Sequence, residues 1–298
     1  MIRALKIVFN DISIVQKLLV SLYLSETVFI GFKTFSPPTL IVVPKKSLKK
    51  VLYSVYSFLF LNNLVSVVVK IFNYPLYENE YEQMVIDSTE DIETDYFVIT
   101  PRLDTSVNEK IPIYLRGFDF AEGTGDHPST KLILDKLPLF LKQIEDYKTI
   151  IIDYGSGSGI LSIASKKILP NSWVLSIEID FQSLNEAKKN YELNKLELFS
   201  VCAANPKFIN LEKLSFFEKR VFIINVPLFV LSSCFQYFKQ EDFYFDFVII
   251  SGVKKSNHET LKEFVEKINK EFDNYLDQYD LNYDQLKNWV VVIGRLKI

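Results

Sequence analysis

A run of seven residues, Asp153-Tyr154-Gly155-Ser156-Gly157-Ser158-Gly159, separates an apolar stretch, Thr149 to Ile152, from a helical pattern that begins at Ile160. Glycine at every second position lets the backbone turn tightly from strand to helix and leaves room for a ligand against it. Asp153, Gly155 and Gly157 are therefore candidate cofactor-binding residues. Ile160 stands where a dinucleotide fingerprint needs its third glycine, so the spacing is G-x-G-x-G and a nicotinamide cofactor is disfavoured. No Gly-Lys-Ser/Thr follows, which excludes a P-loop. Alone, such a turn fits a plain strand-to-helix connection as well as it fits a ligand site. Glu178 adds a second feature: it ends the next apolar strand at roughly the 20-residue spacing expected of a carboxylate that accepts both ribose hydroxyls. Asp180 lies on the same side by the two-residue period of a strand and reads as a helix cap. Together the two features point to a nucleoside cofactor.

Asn225 follows the apolar strand Val221 to Ile224 and precedes Val226-Pro227. It reads either as a turn-forming residue before proline or as an amide at the carboxyl end of a strand, where open α/β sheets hold their ligands. In the second case its carbonyl can accept a hydrogen bond from an amine and its NH2 can donate to a carboxylate. A further loop, Gly123-Thr124-Gly125-Asp126-His127-Pro128-Ser129-Thr130, enters an apolar helix, Lys131 to Leu141. Pro128 suits the first helical turn, and the glycines let the loop fold over a ligand, which makes Thr124 and Gly125 candidates as well. His127 reads first as a helix-entry residue, since no Ser or Cys nucleophile motif accompanies it.

These residues need elements to hold them. The chain has 298 residues, room for two domains, with 48% hydrophobic and 24% charged residues, which excludes a disordered or collagen-like chain. From Ile111 onward strands and helices alternate: Thr149–Ile152, Ile160–Ile168, Trp173–Ile177, Phe181–Leu193, Val221–Ile224, Phe245–Ser251, then a helix from Asn257 to about Phe272 and strands near Tyr275–Asp280 and Trp289–Gly294. Alternation of this kind predicts a parallel sheet covered on both faces, the Rossmann-like class of α/β fold. The first 72 residues instead read β-α-β-β-α-β: strands Leu5–Phe9, Thr27–Phe32, Thr39–Val43 and Leu64–Phe72, helices Ile12–Leu24 and Ser47–Phe60. That is the pattern of a small ferredoxin-like α+β domain. The expected division is 1–72 for this domain, 73–110 for an acidic connector and linking strand, and 111–298 for the cofactor domain. Glu78 to Asp95 carries eight acidic residues and no Lys or Arg, as a solvated connector or a surface for a basic partner would.

With 34 basic and 37 acidic residues the net charge is −3, the wrong sign for holding nucleic acid by the bulk field. Two distant cysteines, Cys202 and Cys234, and two histidines indicate neither a disulfide scaffold nor a metal site, and fit a reduced, cytoplasmic setting. The N-terminus lacks a signal-peptide pattern, and Asn62-Asn63 interrupts the one long apolar stretch, Val51 to Val69, which reads as helix, turn and strand rather than a membrane span.

The strings Ala121 to Thr130, Asp153 to Leu161 and Glu178-Ile179-Asp180, with Asn225, Ser251-Gly252 and Trp289 to Arg295, occur in an order and spacing that resemble the ribosomal-protein lysine methyltransferases of the PrmA type, within the class I S-adenosylmethionine-dependent methyltransferases. The most specific string is G-T-G-x-H-P-x-T. The resemblance spans roughly residues 96 to 298, and the layout of the first 72 resembles that family's substrate-recognition domain. It implies a protein N-methyltransferase that uses S-adenosyl-L-methionine on lysine or N-terminal amines of a large-subunit ribosomal protein, with Thr130, Gly155, Glu178 and Asn225 as cofactor contacts and Asn225 as the catalytic residue. Departures are Glu122 in place of an aromatic residue, Asp126 within the loop, Glu178 where Asp is common, and no Pro-Gly-Gly between Gln240 and Asp246. Ser200 to Phe217 matches no part of the pattern. The alternatives are a methyltransferase for another protein or a small molecule, and a non-catalytic cofactor-binding assembly or regulatory factor.

Overall fold

The structure, a computed structural model, describes strand backbones within residues 2–76 and, from residue 91 to 297, all but 104–108, 116–124, 198 and 204–205. The chain divides into two compact units, Met1–Glu90 and Asp91–Ile298. In the first, β1 (Ile2–Phe9), β2 (Thr27–Lys33), β3 (Thr39–Pro44) and β4 (Val68–Leu76) form one sheet in the order β2-β3-β1-β4, every pair antiparallel. The fourth strand lies later than its β-branched run suggests, because it pairs with the whole of β1, Ile2↔Leu76 through Phe9↔Val68. Pro75 is admitted because β4 is an edge strand, where a missing N–H breaks no second ladder. The expected helices Ile12–Leu24 and Ser47–Phe60 lie outside the described residues.

The second unit begins with a three-stranded sheet of β5 (Ile92–Glu93), β6 (Phe97–Thr100) and β7 (Ile111–Tyr114). Three of the acidic residues from the expected connector anchor here: Asp91 pairs with Arg102 at 2.6 Å, Glu93 with Lys110 at 2.9 Å, and the Asp95 N–H donates to Asp135. The main sheet has seven strands: β8 (Thr149–Tyr154), β9 (Trp173–Glu178), β10 (Phe199–Cys202), β11 (Lys219–Asn225), β12 (Phe247–Lys254), β13 (Tyr279–Leu286) and β14 (Trp289–Leu296). Their order is β10-β9-β8-β11-β12-β14-β13; the first five run parallel, β14 runs antiparallel to β12, and β13 pairs antiparallel with β14 at the edge. This is an α/β Rossmann-like fold with a mainly parallel central sheet.

Alternate residues of the strands feed two cores. On one face Ile151, Val221, Ile223 and Ile249 pack with α1 (Pro128–Leu141), α2 (Ile160–Ile168) and α3 (Phe181–Leu193). On the other, Ile152, Phe222, Ile224 and Ile250 pack with α4 (Leu228–Gln240) and α5 (Leu261–Glu271). Burial on both faces explains why the strands read as unbroken apolar runs. Helix α5 starts on a full capping box, Thr260 with Glu263.

The sequence reading needs correction at three elements. The segment from Tyr275 is not strand at first: Tyr275–Gln278 is a 3-10 turn, and β13 starts at Tyr279. The Asn269 side chain accepts from the Leu276 N–H and holds that turn, and Tyr275 is fully buried among aromatic rings. Helix α4 had gone unread, and so had the edge strand β10, whose residues are mostly exposed and leave no burial period. Among the described residues no helix is long and apolar enough to cross a membrane.

Candidate functional site

The carboxyl ends of β8, β9 and β11 open on one cavity of about 650 Å³, a size suited to a cofactor. Strand β8 ends in the glycine turn, where Gly155 and Gly157 both have positive φ, 76° and 52°. The turn hangs from β9: the N–H groups of Gly155 and Ser156 both donate to the Ile177 carbonyl, at 2.8 and 3.0 Å. A Cβ at Gly155 would strike the Val226 side chain, so only glycine lets the turn pass β11.

Glu178 ends β9 and is buried, with 8% of its surface exposed. Its Oε2 accepts the Gly157 N–H at 2.8 Å and its Oε1 the Asp180 N–H at 2.9 Å. Two carboxylate oxygens offer about four acceptor positions, so each retains one for a ligand hydroxyl. Asp180 is the N-cap of α3, accepting from the Ser183 N–H at 2.7 Å. Beyond β9, the Ala203 N–H donates to the Glu178 carbonyl and brings Ala203 to the cavity wall.

Asn225 ends β11. Its Nδ2 donates to Thr130 Oγ1 at 3.2 Å, and its Oδ1 is buried with no partner among the described residues. Thr130, in the first turn of α1, is itself buried and faces the same cavity. An acceptor stripped of water and left unpaired costs roughly 1–3 kcal/mol unless a ligand satisfies it. Next to it, a bulge in β12 between Ile250 and Val253 turns the chain at Gly252, where a Cβ would collide with the Val226 backbone. His127 caps α1, with its Nδ1 and the Ser129 hydroxyl hydrogen-bonded at 2.7 Å and its ring edge-on to Trp289 at 4.3 Å.

Of the residues singled out in the sequence, the cavity brings together Thr130, Gly155, Gly157, Glu178 and Asn225, and adds His127 and Trp289. Thr124 lies outside the described residues. Gly125 is buried and borders Ile160 and Ile99 rather than the cavity. Asp153 lies behind the turn, fully buried, its Oδ2 accepting from Ser162 at 2.6 Å in a chain that continues through Ser176 to Tyr191. Burial pushes the Asp153 carboxyl up to about 6 against the lowering effect of Ser162, with the Glu178 charge adding to the rise. Burial likewise pushes the Tyr191 hydroxyl up to about 12. The apolar wall of Ile179, Val226, Pro227 and Val230 is a further part of the site; its signal in the sequence is position, since Ile179, Val226 and Pro227 sit just past strand ends and Val230 lies in the first turn of α4. No three His, Cys, Asp or Glu side chains cluster to hold a metal among the described residues.

A curated relative from Aquifex aeolicus, named ribosomal protein L11 methyltransferase, is 37% identical over 119 residues, covering 40% of this chain and 43% of the relative. One of the same name from Staphylococcus saprophyticus is 27% identical over 207 residues, covering 68% of this chain and 60% of the relative. The chain thus spans about half the length of these curated relatives. The solved structure of a ribosomal protein L11 methylase from Lactobacillus delbrueckii subsp. bulgaricus superimposes with a TM-score of 0.54 at 20% identity, covering 70% of this chain and all of that one, and shows the shared fold. The family model described as ribosomal protein L11 methyltransferase (PrmA) matches residues 74–291, and on that match across the site-bearing sheet the chain belongs to the PrmA family.

Proposed function

We propose that the chain is an S-adenosylmethionine-dependent protein methyltransferase acting on lysine or N-terminal amines of ribosomal protein L11. The observation that carries this reading is the buried, unpartnered Asn225 carbonyl in the same cavity as a Glu178 carboxylate with acceptor positions to spare. The fit to the cofactor is chemical: Glu178 can take a pair of ribose hydroxyls, the glycine turn gives close backbone approach, and Ile179 offers an apolar face beside them. When bound, S-adenosylmethionine supplies a methyl group on a sulfonium, open to attack by an amine.

The rest falls to this chain. Lysine has a pKa of about 10.4 and attacks only as the neutral amine, which an apolar surround favours. Val226, Pro227 and Val230 supply such a wall. The hydrogen bond to Thr130 fixes the Asn225 amide so that Oδ1 is the end on offer. An amine N–H donated to it would leave the nitrogen lone pair aimed away from Asn225 and free to attack; as N–CH3 formed and S–CH3 broke, S-adenosylhomocysteine would leave and the alkylated ammonium would lose one proton to solvent. Catalysis in this scheme rests on position and desolvation, without a covalent enzyme intermediate. Asp153 acts at one remove, as the buried end of the Ser162-Ser176-Tyr191 chain beneath the turn.

The first unit serves as the substrate-recognition domain. Its four antiparallel strands in the order β2-β3-β1-β4 support a ferredoxin-like arrangement. Transfer of labelled methyl from the cofactor to purified ribosomal protein L11 tests the whole reading; a protein that titrates S-adenosylhomocysteine and transfers nothing would be a binding factor instead. Asn225→Ala should lower the single-turnover rate about 10-fold or more while changing cofactor affinity little, since orientation is felt in the transition state. A normal rate in that variant would move the amine site to another strand end.

A further inference from the structure

The wall of the cavity carries the Glu178 carboxylate, and among the described residues no Lys or Arg lines it. Such a wall favours an ammonium over the neutral amine that the chemistry requires. The compensating cation stands one layer out. Lys254, the last residue of β12, pairs in the ladder with Trp289, and its Nζ lies 4.5 Å from the centre of the indole ring. Trp289 faces the cavity and Lys254 does not. The quadrupole of the indole attracts cations over its face. That attraction is engaged by Lys254 before a substrate arrives, and among the described residues no carboxylate pairs with the Lys254 ammonium to cancel its charge.

We propose that Lys254 is a positioning residue that acts through Trp289: it occupies the aromatic ring bordering the amine site with a resident positive charge, and so selects the neutral amine over ammonium and weakens retention of cationic products. The proposal rests on the amine-methylation reading above. The surrounding charges do not supply this effect. Asp126 and His127 flank Trp289 from the start of α1, the former with the opposite sign. Lys255 turns away to the carbonyls of Ser256 and Glu259. Lys267 and Glu271 of α5 share a cleft with Lys254 but carry opposite charges, and Lys287 sits in the exposed β13–β14 turn. Lys254 is exposed, so removing its charge spares the core.

The experiment compares the full chain with its Lys254→Met and Lys254→Arg variants, using ribosomal protein L11 as acceptor, melting temperature as a check on folding, and tetramethylammonium as a permanent-cation probe. In Lys254→Met the rise with pH of the single-turnover rate at saturating acceptor, which reports the bound amine, should move about half a pH unit or more to the alkaline side, the order expected when a nearby like charge is lost. Tetramethylammonium should inhibit it several-fold more strongly, because the indole quadrupole is no longer engaged by a resident cation. Lys254→Arg keeps a cation on the ring and should match the parent in both measurements. A folded Lys254→Met protein with unmoved pH profile and unmoved inhibition overturns the proposal alone. A parent that binds S-adenosylhomocysteine but transfers no methyl to amine at any pH overturns the function as well.

Discussion

Glu178 shows how much one side chain does in this site. Its two oxygens already take two backbone N–H groups, so Glu178→Gln would set an amide NH2 against one of those donors as well as lose a charged acceptor. Affinity for S-adenosylhomocysteine should fall by about 1–3 kcal/mol, the range for a charge-assisted hydrogen bond; calorimetry that finds no change would take the carboxylate out of the site. Asp153 behaves in the opposite sense. Its carboxyl titrates near 6 in the folded protein against an ordinary value of 3.8. Below about pH 4 folded and unfolded chains both hold the proton. Between about pH 4 and 6 only the folded chain keeps it, so this group's contribution to stability falls as pH rises, and above pH 6 the fold carries a buried charge. Asp153→Asn should therefore raise the melting temperature at pH 7, by an amount on the order of 1–3 kcal/mol of stability, and the gain should vanish by pH 4. Equal gains at both pH values would show that charge is not the cause.

At the scale of elements, Phe222 on β11 joins the sheet to α4. Its ring lies 5.1 Å from Phe238, 4.8 Å from Phe245 and 5.9 Å from Phe235, all fully buried. Phe222→Ala should cost about 3–5 kcal/mol in denaturant unfolding, the usual range for emptying an aromatic site; a loss under 1 kcal/mol would mean that α4 collapses into the gap. The elements of this unit were legible where the chemistry of the chain was local. The glycine turn, the Asp180 cap and helices α2 and α3 follow from residue types and spacing alone. Helix α4 shows why the rest was harder: Leu231, Cys234, Phe235 and Phe238 have helical spacing, but the surrounding aromatic and β-branched residues favour strand locally and the helix is held by packing. Strand β10 had still less to show, because its parallel ladder with β9 is backbone bonding that side chains do not advertise. For the site, Glu178 and Asn225 stood out as polar residues ending apolar strands, whereas Trp289 acquires meaning only when β14 brings it beside Lys254 and His127.

For the whole molecule, the division at residue 90 makes the proposed assignment of recognition to the first unit and cofactor binding to the second testable in the tube. A chain beginning at Asp91 should keep its affinity for S-adenosylhomocysteine within a few-fold and lose most methyl transfer to ribosomal protein L11, measured with labelled cofactor. Full transfer by that fragment would relocate substrate recognition to the second unit. Within that unit, the hydrogen bond between Asn225 and Thr130 joins residues 95 positions apart, and the sheet between them is built from parallel ladders that need long crossovers. Pairings so distant in the chain form late, because loop-closure entropy must be overcome before they contribute. Since the cavity exists only where those ladders have brought the ends of β8, β9 and β11 together, the return of ligand affinity on refolding should come no earlier than the sheet itself and serve as its clock.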